Sequence, residues 1–206
     1  NPATEEVLAE VAAGEAVDVD HAVRAAKACF ESAAWRDLSA RKRGRILFKA
    51  ADLLEARLEE FSRLESAQNG KTLFEAKIEL TMTVNTLRYY AGWADKIVGD
   101  TLPVDGPFLT YTLREPVGVV GAIVPWNFPL NIASWKFAPA LAAGCTVGLK
   151  PASETPLTAL RFAELALEAG LPPGAFNVVS GGGSTAGAAL VRHPDVDKIS
   201  FTGSTD

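Results

Sequence analysis

The chain has 206 residues, enough for one large or two small domains with a packed core. With 48% hydrophobic and 22% charged residues it reads as globular, and a net charge of −5 argues against a nucleic-acid binder, which would show a basic face. No apolar run has the length of a membrane span and no charged-then-apolar leader opens the sequence, so neither membrane insertion nor secretion is expected.

Three helical stretches come first. In "DVDHAVRAAKACFESAAW", Val19, Val23, Ala26, Phe30 and Ala33 recur at helical spacing behind a cap at Asp18. From Ser39 a long helix puts Ile46, Ala50, Leu53, Leu54, Leu58 and Phe61 on one face and ends at the turn Asn69-Gly70. A third places Leu73, Leu80, Val84, Leu87, Ala91 and Val98 in register. Residues 99–116 change character. A turn at Asp105-Gly106-Pro107 is followed by alternation, with Leu109, Tyr111 and Leu113 on one side, which predicts a protruding hairpin with one apolar face. A lone hairpin is marginal in water and must lie on something, its own domain or another subunit.

From Val117 the pattern alternates. "VGVVGAIV", "CTVGLK", "FNVVS" and "KISFTG" read as strands. Pro129 to Ala143, Pro156 to Ala169 and Thr185 to Val191 read as helices, with Pro156 in a first-turn position. Short links between alternating strands and helices predict an α/β fold, a doubly wound, Rossmann-like parallel sheet with helices on both faces. The expected organisation is a helical region over 1–98, the hairpin over 99–116 and the sheet over 117–206. Ligands of such sheets bind beyond the carboxyl ends of the strands, here the loops 125–129, 150–155, 180–187 and 202–206.

Those loops hold the candidate site residues. "SGGGSTAG" spaces Gly181, Gly183 and Gly187 as G-x-G-x-x-x-G, one residue longer than the dinucleotide fingerprint, so the spacing suits either phosphate binding or a tight turn. Lys150 ends a strand at the binding edge, as a solvated terminus or as a donor to ribose hydroxyls. Ser153 stands where a carboxylate would grip a ribose 2′-hydroxyl and repel a 2′-phosphate. Serine removes that repulsion and admits NADP, although Glu154 is adjacent. In "VPWNFPLNIASWK", Asn127 is one amide set between Trp126 and Phe128 and fenced by Pro125 and Pro129. A neutral amide held stiffly among aromatics is either a buried structural group or a donor aimed at something that becomes charged. Phe128, Ile132 and Trp135 share a helix face by their spacing, as a core stripe or a pocket wall. Cys29 and Cys145 sit in apolar patterns, which suits a reducing, cytoplasmic setting. His21 and His193 are isolated, so no metal site is expected.

The stretches "VPWNFPL", "GCTVGLKPASETPLTAL", "GLPPGAFNVVSGGGSTAGAAL" and "DKISFTGST" together resemble the aldehyde dehydrogenase superfamily, and the resemblance runs the length of the chain. It implies oxidation of a small-molecule aldehyde to a carboxylic acid with NAD or NADP through a cysteine thiohemiacetal. "PWNFP" favours the hydrolytic branch over those that make acyl-CoA or reduce acyl phosphates. The resemblance makes Asn127 the side-chain donor to the hemithioacetal oxyanion. It puts Ile123, Pro125, Trp126, Lys150, Ala152, Ser153, Gly183, Phe201, Gly203 and Ser204 at cofactor-contact positions, and Phe128, Ile132 and Trp135 along the aldehyde tunnel. Asn131 is a polar group where that tunnel would be apolar, and Lys136 matches a lysine linked to proton handling. The hairpin resembles the arm through which such enzymes form dimers and tetramers. The family's nucleophilic cysteine and general-base glutamate follow the "FTGST" motif. The chain, which opens without Met and stops at Asp206, is therefore expected to be a truncated N-terminal piece without turnover of its own. Its alternative role is a catalytically inert nucleotide-binding module.

Overall fold

The computed structural model describes residues 1–204. The helices come in order as α1 (Ala16–Glu31), a single turn α2 (Ala33–Arg36), α3 (Ala40–Ala56), α4 (Leu58–Asn69) and α5 (Leu73–Trp93). The first starts earlier than expected. Glu15 is its N-cap, and Asp18 lies inside the first turn, where its carboxylate accepts from the Glu15 amide at 2.8 Å. The long helix from Ser39 is broken at Arg57, which no glycine or proline announces. The break lets α4 turn onto the helix that later carries Glu168, and Arg57 Nη2 bonds that carboxylate at 2.7 Å. Val98 falls beyond α5 and is exposed, because the helix ends before it.

Strands β1 (Thr101–Leu102) and β2 (Thr110–Tyr111) pair antiparallel, with Thr101 opposite Tyr111. The predicted hairpin is therefore present but short. Its expected apolar face is in the open: Leu109, Tyr111 and Leu113 are 77%, 59% and 70% exposed.

Then follow β3 (Val119–Ile123), α6 (Pro129–Ala143), β4 (Thr146–Lys150), α7 (Leu157–Ala169), β5 (Phe176–Val178), α8 (Ala188–Arg192) and β6 (Lys198–Phe201). These four strands form one parallel sheet in the order β5-β4-β3-β6. Successive strands step one way from β3, and β6 then joins its other edge. The order reverses beside β3, and that switch point opens a crevice at the carboxyl ends of β3 and β6. Pro156 is the N-cap of α7 rather than a first-turn residue. The helix expected from Thr185 begins as a wide turn over Gly183–Gly187, closed by Gly187 N–H to Gly182 C=O at 3.1 Å, with the Lys150 side chain running close beside Gly187.

Both sheet faces are covered. On one, α6 and α7 pack against Val120, Ala122, Val147 and Leu149, with α3 and α5 behind them. Phe137, Phe162 and Phe176 form its three-ring centre, with centroids 4.9–6.0 Å apart. On the other face, Val19, Val23 and Ala26 of α1 and Leu190 of α8 meet Val119 and Ile123. Gly121 and Gly148 are cross-strand partners, and a Cβ on Gly121 would come within 3.1 Å of Leu190 Cγ, so α8 lies directly on bare backbone. The end of α6 is satisfied by side chains from the N-terminal helices. Trp35 Nε1 donates to the Gly144 carbonyl at 2.8 Å and Arg43 Nε to that of Ala142 at 3.2 Å. The site loop that begins α6 thus hangs from a helix fixed at its far end.

Candidate active site

The crevice at the switch point encloses about 740 Å³. Every residue that the sequence assigned to cofactor contact lines it: Ile123, Pro125, Trp126, Lys150, Ala152, Ser153, Gly183, Phe201, Gly203 and Ser204. Four loops bring them together because parallel strands end at the same edge. The Thr202 amide donates to the Ile123 carbonyl at 3.1 Å and the Val124 amide to the Lys150 carbonyl at 3.3 Å, which ties the loops after β6, β3 and β4 to one another. Val124, Glu154 and Thr202 line the crevice too. Glu154 is the neighbour that the sequence flagged beside Ser153. Val124 and Thr202 were missed, since an apolar strand end and a threonine carry no signal of their own. The loop 202–206 extends into Thr205 and Asp206, outside the described residues.

Lys150 is not a solvated strand end; it is only 4% exposed. Its Nζ donates to the Pro151 carbonyl at 2.6 Å and the Gly181 carbonyl at 3.1 Å. Burial pushes its ammonium below the usual lysine range, against the pull of Glu154. An ammonium has three protons, and two carbonyls leave one for a further acceptor. Ser153 Oγ donates to the same Gly181 carbonyl at 3.1 Å, so the glycine loop is gripped from the β4 side. From the other side the Gly14 amide donates to the Ser180 carbonyl at 2.9 Å, with an approach so close that any Cβ on Gly14 would clash. Lys136 Nζ donates to Thr202 Oγ1 at 2.7 Å, and burial lowers its pKa.

Asn127 stands where the crevice meets a second cleft of about 300 Å³. It is exposed, and its carboxamide makes no hydrogen bond among the described residues. Its backbone is pinned instead: the Asn127 carbonyl accepts from Lys71 Nζ at 2.8 Å. The second cleft is lined by Asn127 and Phe128 with Lys71, Ile78, Glu79 and Met82. The three residues read as a tunnel face are divided. Phe128 lines the smaller cleft, Ile132 is buried on the larger crevice, and Trp135 is half exposed and lines neither. Asn131 is buried, with Oδ1 unpartnered among the described residues. Ile78 and Met82 were missed, although two apolar residues one helical turn apart on the face opposite Leu80, Val84 and Leu87 were a signal to follow.

Beneath this cleft lies a pair of buried carboxyl groups. Glu79 and Glu65 are essentially inaccessible. Burial, and then the charge of Glu65, push the Glu79 carboxyl up to about 8, and Lys71, which donates to Glu79 Oε2, only partly offsets them. Cys29 and Cys145 are free thiols buried in the core, and neither lines the crevice. Among the described residues no cluster of His, Cys, Asp or Glu is suited to a metal ion, and no helix is long and apolar enough to cross a membrane.

A parallel sheet with a four-loop crevice at its switch point defines a doubly wound α/β protein. The family model for the aldehyde dehydrogenase family matches residues 1–206, and the chain belongs to that family. It is 56% identical over its whole length to an aldehyde dehydrogenase of Enchytraeus buchholzi, spanning 42% of that protein. It is also 56% identical, over the same share, to a phenylacetaldehyde dehydrogenase of Pseudomonas fluorescens. Among solved structures, the NAD⁺ complex of an aldehyde dehydrogenase from Bacillus cereus superposes with a TM-score of 0.98 at 51% identity, covering all of this chain and 42% of that one. The chain thus spans less than half the length of the relatives it matches.

Proposed function

We propose that these residues form the cofactor-binding and oxyanion-stabilising part of an enzyme that oxidises an aldehyde to a carboxylic acid with NAD or NADP. The observation that carries this reading is the Asn127 carboxamide, without a hydrogen-bond partner among the described residues and set at the junction of the large crevice and the smaller apolar cleft. The crevice residues fit a dinucleotide: apolar walls at Ile123 and Phe201, a glycine loop, and a buried ammonium with one proton left for a ribose hydroxyl. A nicotinamide nucleotide held there supplies hydride acceptance. Phe128 and its neighbours give the smaller cleft an apolar wall for the aldehyde. Asn127 donates to the carbonyl oxygen, whose negative charge develops only when a thiolate attacks, so it stabilises the transition state more than the substrate.

Neither cysteine reaches the crevice, so in this reading the nucleophile and the general base come from outside these residues, and the 206 residues alone turn nothing over. Ser153 puts no negative charge at the ribose position, which supports NADP acceptance alongside NAD. The exposed hairpin suits an arm that seats a second copy in a homodimer or homotetramer. The buried thiols suit a reducing compartment such as the cytoplasm. The test is to follow nicotinamide reduction by the full-length protein with a panel of aliphatic and aromatic aldehydes, and to titrate NAD and NADP separately. Aldehyde-dependent turnover is expected with at least one of them. Absence of turnover with every aldehyde and both nucleotides would overturn the proposal.

A further inference from the structure

Three consecutive residues of the Asn127 loop are held by one turn elsewhere in the chain. Helix α4 ends at Asn69, Gly70 turns left-handed (φ 86°), and Lys71 follows. Asn69 Nδ2 donates to the Trp126 carbonyl at 2.6 Å. Lys71 Nζ donates to the Asn127 carbonyl at 2.8 Å and lies 4.6 Å from the Phe128 ring centroid. The peptide planes on both sides of the Asn127 Cα are therefore pinned, while the carboxamide itself bonds to nothing among the described residues.

Lys71 is anchored in turn. It donates to Glu79 Oε2, and Glu79 sits in the interior beside Glu65. Glu65 Oε2 accepts from Gln68 Nε2 and Thr158 Oγ1, each at 2.8 Å. Gln68 Oε1 accepts from the Leu157 amide at 2.8 Å, just past the loop that carries Ala152 and Ser153. A buried network of ionisable groups of this kind is often no more stable than packed hydrophobic residues, so stability alone does not account for it. A donor to a reacting oxygen, by contrast, must be held within about 0.5 Å of its productive place.

We propose that the Asn69–Lys71 turn positions the oxyanion loop, with Lys71 as the positioning residue that fixes the backbone around Asn127. This rests on the reading of Asn127 as an oxyanion donor. Lys71 touches no reacting atom in this scheme; it acts through Asn127.

The test uses the full-length protein and six variants: Lys71→Met, Lys71→Met with Glu79→Gln, Asn69→Ala, Asn127→Ala, and Lys71→Met and Asn69→Ala each combined with Asn127→Ala. Lys71→Met is expected to lower kcat by about tenfold to a hundredfold, as misplacing a catalytic group by about 1 Å does. Nucleotide Kd stays unchanged. In the Asn127→Ala background the same substitution changes kcat by less than about twofold, because residues acting as one unit are not additive. Additive losses, or a kcat near wild type, would overturn the inference. The Glu79→Gln combination removes the carboxyl that Lys71→Met leaves without its partner. Asn69→Ala disturbs no buried group, so its smaller, equally non-additive loss decides the matter if the Lys71 variants do not fold. An inactive wild type overturns the functional reading and this inference with it; an active wild type with unaffected variants overturns this inference alone.

Discussion

Replacing Asn127 by alanine separates catalysis from folding. The carboxamide is exposed and bonds to nothing among the described residues, so its removal deletes no side-chain hydrogen bond among them. A surface change of that kind shifts stability by about 0.5 kcal/mol or less. Loss of one oxyanion donor costs on the order of 10²–10³ in kcat, about 2.7–4 kcal/mol of transition-state stabilisation. Asn127→Asp is expected to fall further. A carboxylate about 4 Å from a developing oxyanion adds repulsion of roughly 1 kcal/mol in water and 4 kcal/mol at the effective dielectric of a protein surface. The assay is steady-state nicotinamide reduction by the full-length protein, paired with thermal unfolding and nucleotide titration. The expected pattern is a large fall in kcat with an unchanged melting temperature and nucleotide Kd. A fall in kcat of less than about tenfold, or 1.4 kcal/mol, would refute the donor role. A large drop in melting temperature would instead make the amide a structural group.

Three further outcomes are expected. Phe137 is fully buried between Phe162 and Phe176, so Phe137→Ala should cost about 3–5 kcal/mol in denaturant unfolding; a loss under about 1.5 kcal/mol would contradict that packing. Ser153→Glu places a carboxylate in the crevice and should weaken NADP on the order of tenfold while leaving NAD largely unaffected; equal changes for the two nucleotides would detach position 153 from the ribose. Glu79 is raised from 4.5 to about 8 in the fold, so its protonated form stabilises the folded state fully below 4.5, progressively less as pH rises, and not above 8. Melting temperature should therefore decline across that window more steeply for wild type than for Glu79→Gln, and parallel profiles would show that Glu79 does not hold this proton.

Local residue patterns were enough to read the strand and helix alternation after residue 117 and to place candidate crevice residues at the ends of the strands. Strand signals are local: short apolar runs between glycine and proline breaks survive in any context. Loops that follow parallel strands must also meet at one edge, so position along the chain predicts proximity in space. Family motifs then assigned Asn127, Lys150 and Ser153. Tertiary structure alone decided what those groups touch. It broke the helix at Arg57, where no residue forbids helix, and set α4 against α5 and α7. It buried Lys150 by closing the glycine loop over a strand end that reads as solvated. It split Phe128, Ile132 and Trp135 between two clefts and the surface, because a shared helix face does not say which neighbour covers it. It also joined Asn69 and Lys71 to Trp126 and Asn127 across more than fifty residues of chain. Periodicity reports on a residue's neighbours within its own element, and the grip on the Asn127 backbone comes from another one.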